Sequence, residues 1–175
     1  MNDIIQIRPS PSDDTRSADH EISMAELTES TRLHIRDVMM GMGWLCDRLF
    51  ENAKRHDWTK LEYMKEFYDQ FSRAQKTGDW GIGWYDEIHL RKERHHLDNI
   101  DTSPDDVNLL DVLEQIVDGV MAGMARTGRY EPRPLDPLLL QRAYDNTAKM
   151  LAEHVQVVDA YAVDSNDVKE KEEDK

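Results

Sequence analysis

Histidines and carboxylates are unevenly placed along this chain, and several of the placements could do chemistry. His34 falls within an apolar helical pattern. His56 and Asp57 are adjacent, at the junction of two helical patterns. His95 and His96 form a pair, with His89 seven residues before His96. Asp111, Glu114 and Asp118 recur at i, i+3 and i+7, which puts three carboxylates on one side of a helix. That row runs between Val107 and Met121, and a carboxylate facing a core is costly unless paired or bound to a cation. A divalent ion removes the cost. Imidazole with carboxylate oxygen suits Mn, Fe, Co, Ni or Zn, and such an ion acidifies bound water and polarises a phosphoryl oxygen.

Taken singly, each feature also has an ordinary reading. His34 could be a satisfied core histidine, and Asp57 could cap the helix that follows it. His95-His96 could be surface, and the acidic row could be a solvated edge. Their joint occurrence is what favours a common site, because separate readings leave each feature without a partner.

The elements that must position these residues are helical. A first helix opens with the capping box Ser23-x-x-Glu26, and its apolar stripe runs Leu27, Thr31, His34, Val38, Met42, Leu45, Leu49. A second starts after His56-Asp57, with Thr59-x-x-Glu62 as a box, and is expected to bury Leu61, Met64, Tyr68 and Phe71. A Gly-rich loop from Thr77 to Gly83 leads to a third helix over roughly Trp84 to His96. A fourth is expected to start at Ser103-Pro104 and carry Val107, Leu110, Leu113, Val117, Val120, Met121 and Met124 inward. Gly119 and Gly123 within it call for close packing by a neighbour. Asp136-Pro137 opens a fifth, with the stripe Leu140, Tyr144, Thr147, Leu151, Val155, Val158. No useful length alternates with period two. The expectation is an all-α, compact single-domain bundle of about five helices over residues 23–163, between a flexible arm (1–22) and an acidic disordered tail (164–175).

Composition restricts the partners. The 175 residues are 39% hydrophobic and 33% charged, room for one domain with a core. A net charge of −14 argues against general affinity for nucleic acid or anionic membranes, though a small nucleotide could still bind through metal ions and local basic residues. The one cysteine, Cys46, excludes an intramolecular disulfide and a Cys-rich zinc module, and its apolar neighbourhood reads as a buried thiol. With no membrane-length apolar run and no signal pattern, a cytoplasmic location is expected; the oligomeric state is open.

The segment His56-Asp57-Trp58-Thr59-Lys60, with a histidine on the preceding helix and an aspartate on a later one, resembles the H…HD…D pattern of the HD superfamily, in its common HDxxK form. The longer run from "HIRDV" through "HDWTKLEYMKEF" and "ERHH" to "NLLDVLEQIVDG" is similar to small uncharacterised phage and bacterial proteins of the DUF5662 type, over about residues 30–125. The resemblance implies an HD-like fold and a metal-dependent phosphohydrolase of bacterial or phage origin. His34, His56, Asp57 and Asp118 would be the ligands of a divalent ion (Mn, Fe, Co, Ni, Zn or Mg). His95 and His96 would bind a second ion or serve catalysis, and Lys60 would contact phosphate or pair with Asp57. Arg91 and Arg94 could help hold phosphate. The substrate would be a small phosphorylated compound, on analogy a nucleotide. Two rival readings stand beside it: an acidic helical factor that occupies a basic surface of a host partner, and a dinuclear HD-like protein that activates oxygen.

Overall fold

The computed structural model describes residues 4–10, 21–130 and 133–158; the expected tail at 164–175 and most of the expected arm lie outside these. The fold is mostly α-helical. In order it comprises β1 (Ile5–Ile7), α1 (Met24–Arg55), α2 (Trp58–Glu62), α3 (Met64–Thr77), a π-helical turn (Tyr85–His89), α4 (Leu90–Lys92), α5 (Leu109–Thr127), α6 (Pro137–Glu153) and β2 (Val155–Val157). No helix among the described residues is long and apolar enough to cross a membrane. The described residues divide into two compact units, one of residues 4–10, 21–44 and 151–158, the other of residues 45–130 and 133–150.

In the first unit, α1 begins with the expected box: Ser23 Oγ accepts the Glu26 N–H at 3.2 Å, and Glu26 accepts the Ser23 N–H at 2.9 Å. The start of the chain, read as an arm, instead supplies β1, which pairs in parallel with β2, Ile5 opposite Val155. Ile5 N–H donates to the His154 carbonyl at 2.7 Å, and the His154 ring packs on buried Trp44. Ile5 is itself buried. Ile5→Ala is therefore expected to lower stability by roughly 2 kcal/mol, read from the denaturant midpoint; an unchanged midpoint would mean this strand contributes nothing.

In the second unit the core is Leu97, Val107, Val112, Leu139 and Ala143. Polar groups hold α6 to the segment before α5. Asn146 Nδ2 donates to the carbonyls of Asp105 and Val107, and Thr147 Oγ1 accepts the Leu109 N–H at 2.8 Å.

Several expected boundaries and faces move. The fourth helix starts at Leu109, not at Ser103-Pro104, because Asn108 and Asp111 form a reciprocal capping box, while Ser103 Oγ donates to the Asn99 carbonyl. Thr59 is not a cap: it is buried, and its side chain is used elsewhere. The helix after it breaks at Tyr63, and it turns inward Gln70 and Ala74 while Leu61, Met64, Tyr68 and Phe71 stay exposed. On α1 the stripe Leu27, Val38, Met42 is exposed and Trp44 is buried; Cys46, expected to be buried, is exposed too. On α5 Leu113, Val117, Met121 and Met124 are exposed, as are Leu140 and Tyr144 on α6. A side chain on Gly123 would meet the Arg129 carbonyl oxygen at 2.7 Å, whereas nothing packs on Gly119.

Candidate metal centre

Four short pieces of the second unit bring ionisable groups together. The turn between α1 and α2 supplies His56 and Asp57. Asp57 has φ of +58°, in the left-handed region, which Asp tolerates better than most side chains. The π-helical turn supplies His89, its ring packed on those of Trp84 and Tyr85. Such widened turns recur at functional sites. The helix expected over Trp84 to His96 ends at Lys92, so Glu93, His95 and His96 sit on irregular backbone and are free of helical phase. The fourth piece, α5, supplies Glu114 and Asp118 one turn apart.

Three histidines present Nε2 to one carboxylate. His56 Nε2 lies 3.5 Å from Asp57 Oδ2, while His89 Nε2 and His95 Nε2 lie 3.5 and 3.9 Å from Asp57 Oδ1. Asp118 Oδ1 is 3.6 Å from His56 Nε2. In His56 and His89 the other nitrogen hydrogen-bonds a side chain that can take its proton, and in His95 it faces Glu114 without a formed hydrogen bond. Glu114 Oε1 is 2.9 Å from His56 Nδ1 and 3.2 Å from His95 Nδ1. His89 Nδ1 is 2.7 Å from Thr59 Oγ1. The Thr59 hydroxyl proton goes to Glu93 Oε1, 2.7 Å away, and the Thr59 N–H donates to the same oxygen at 2.9 Å. Thr59 Oγ1 must therefore accept from His89 Nδ1–H, which leaves the lone pair of His89 on Nε2. Carboxylates or hydroxyls behind a histidine commonly set a metal ligand's tautomer in this way.

The charges agree. Burial, with His96 next, pushes His89 down to about 3, and burial with His95 pushes His96 down to about 4, so both rings are neutral at pH 7. Burial also opposes charge on His95, Asp57 and Glu114, but partners outweigh it. Glu114 raises His95, Lys60 lowers Asp57, and His95 with His56 lowers Glu114.

Whether a cation fits can be tested on the buried atoms left over. Asp57 Oδ1 and His95 Nε2 are buried without a hydrogen-bond partner among the described residues, although they face each other at 3.9 Å. Such atoms are costly unless something else satisfies them. Sets of donor atoms within 4.8 Å of one another are His56, His95 and Asp118; Asp57, His95 and His96; and Asp57, His89 and Glu93. The residues present fit a divalent ion.

Of the residues singled out in the sequence, His56, Asp57, His95, His96 and Asp118 come together here. His34 is exposed on α1, in the first unit, and belongs to none of these sets. Its stripe with Leu27 and Val38 is not the buried one. Lys60 pairs with Asp57 through Nζ–Oδ2 and also lines the adjoining cavity. Arg94 is not available for phosphate. Its fork is taken by Asp111, at 2.9 Å from both Nε and Nη2, and by Asp106. Arg91 is exposed on α4 and does not line that cavity. The sequence pattern assigns His89 no role and does not point to Thr59 and Glu93 as its support; the i, i+4 spacing of His89 and Glu93 is the available signal.

Thr59→Val keeps the shape and removes the relay. The His89 ring in the metal-free protein is then expected to lose its single tautomer, read from imidazole ¹⁵N shifts, and divalent-ion affinity to fall about 10–100-fold. Unchanged ¹⁵N shifts would separate Thr59 from the histidine's orientation. No family model, curated protein or solved structure matches this chain.

Proposed function

We propose that this chain is a metal-dependent phosphohydrolase of the HD type. The observation that carries the reading is the convergence of three Nε2 atoms on Asp57, with a buried oxygen and a buried nitrogen there that nothing among the described residues satisfies. His56, Asp57, His95 and Asp118 would hold one divalent ion. Asp57 recurs in a set with His89 and Glu93, and that supports a second ion sharing the carboxylate. An ion so held would supply an acidified water and neutralise charge on a phosphoryl oxygen.

The chain's own residues supply the rest. Glu114, Thr59 and Glu93 fix the imidazoles, and Lys60 keeps Asp57 ionised. His96 is neutral near pH 7 and lines the cavity, so it fits a ligand or a proton acceptor better than a general acid. The substrate would be a small phosphorylated compound, with a nucleotide as the working expectation. The test is phosphate release from a panel of nucleotides and sugar phosphates with Mn²⁺ or Co²⁺, with and without chelator. Chelator-sensitive release supports the proposal. Oxygen uptake without phosphate release would replace it by an oxygenase, and no turnover of either kind by a binding protein.

A further inference from the structure

A cavity of about 690 Å³ in the second unit opens onto the cluster through His89, His96, Asp118 and Lys60, and its aromatic wall has a distinct chemistry. Phe71 and Trp80 meet edge to face at 5.9 Å, and Tyr85 lies 6.2 Å from Trp80. Trp80 is 47% exposed, yet its backbone is held firmly. Its carbonyl accepts from Arg73 Nη2 at 2.7 Å and from Gln70 Nε2 at 3.2 Å, and Gln70 Oε1 takes the Tyr85 N–H at 2.8 Å. Gln70 is buried, so this scaffold is built into the fold. A half-exposed indole on an anchored backbone at a cavity wall offers a stacking surface for a planar ring.

One cation stands about two helical turns along α5 from the cluster. Asp118, Ala122 and Arg126 follow at i, i+4 and i+8 along α5 and all line the cavity. Arg126 is therefore about 12 Å along the helix from Asp118, with only a methyl group between them. Arg126 is exposed and has no ion pair among the described residues; Arg133, 3.9 Å from Asp98, lines the same cavity, as does Asp86. In a chain of net charge −14, a guanidinium on a cavity wall with no ion pair among the described residues is a local binding point for an anion.

We propose that this cavity takes a phosphoester built on a planar ring and carrying a second anionic group. The phosphoryl end faces Asp118 and His96, the ring lies against Trp80 and Phe71, and the second anion is held by Arg126 with Arg133. A nucleoside bisphosphate has this chemistry. The inference rests on the hydrolytic reading of the cluster for the direction of the substrate, but it is tested by affinity.

The experiment uses the full chain with Mn²⁺ and three probes: adenosine 3′,5′-bisphosphate, adenosine 5′-monophosphate and ribose 5-phosphate. Where phosphate is released, KM and kcat/KM are compared; where none is, Kd is taken from calorimetry. The bisphosphate is expected to be preferred over the monophosphate by about tenfold or more, and Arg126→Ala to bring that ratio below about threefold. Trp80→Ala is expected to weaken both adenosine compounds by about tenfold and ribose 5-phosphate by less than about twofold. Both positions are exposed, and unchanged melting temperatures would confirm that the variants fold. A ratio near one in the natural chain, a ratio that survives Arg126→Ala, or an equal loss for all three probes in Trp80→Ala would overturn the proposal. Tight, Arg126-dependent binding without phosphate release would sink the hydrolase reading and leave this one standing.

Discussion

Asp57→Asn is expected to abolish tight divalent-ion binding while leaving the metal-free protein folded. Three imidazoles face this carboxylate, and an amide keeps its shape but gives up its charge. Asn also tolerates the left-handed backbone that Asp57 adopts, so the turn between α1 and α2 should survive. In the metal-free protein the lost pair with Lys60 is partly solvated and is worth about 1 kcal/mol or less. The large effect appears on adding metal. The natural chain should gain about 2.7 kcal/mol at a free-ion concentration a hundred times Kd, and the variant nearly nothing. Asp57→Ala adds backbone strain and should be less stable than Asp57→Asn even without metal. Thermal melts of the three proteins with and without Mn²⁺ check both points. An Asn variant whose melting temperature still rises with Mn²⁺ would remove Asp57 from the site.

The second large effect is expected at Arg94, and there it is on stability. Asp111 is completely buried, caps α5 through the Asn108 N–H, and is otherwise neutralised by the Arg94 fork. The fork ties the segment bearing Glu93, His95 and His96 to the start of the helix bearing Glu114 and Asp118. Arg94→Ala strands a buried carboxylate, a change that costs about 3 kcal/mol after allowing for the exposed edge of the guanidinium. For a chain of this length that is roughly 6–12 °C in Tm. Arg94→Lys keeps the charge without the fork and should fall between. If Arg94 instead held substrate phosphate, the Ala variant would raise KM and melt like the natural chain.

What was legible in the sequence follows from what spacing can encode. Adjacent His56-Asp57, the His95-His96 pair and Asp118 stood out because ligand-type residues in local clusters are visible without knowing the fold. Capping pairs such as Ser23-x-x-Glu26 and the start at Asp136-Pro137 are local too, and α1 and α6 begin there. His89 receives no role from the sequence because a regular helix from Trp84 through His96 is the expectation there. The π-helical turn and the stop at Lys92 change which residues share a face. Arg94 read as a phosphate contact because its partner, Asp111, is 17 residues away and no local pattern joins them. His34 was placed by an apolar stripe, but the positions that turn inward are partly polar. Thr59, Gln70 and Thr147 are buried through specific hydrogen bonds, while Val38, Met42, Val117 and Met121 stay exposed. Apolar periodicity detects helices well, and it assigns their inward face poorly when buried polar contacts decide the packing.

The most direct measurement is anomalous diffraction at the manganese edge from a crystal of the full chain grown with Mn²⁺. The expected result is a peak enclosed by Asp57, Asp118 and the imidazoles of His56 and His95, with any second peak on the side of His89 and Glu93. Peaks confined to exposed carboxylates, or a peak at His34 with none at Asp57, would contradict the assignment of this cluster as a metal centre.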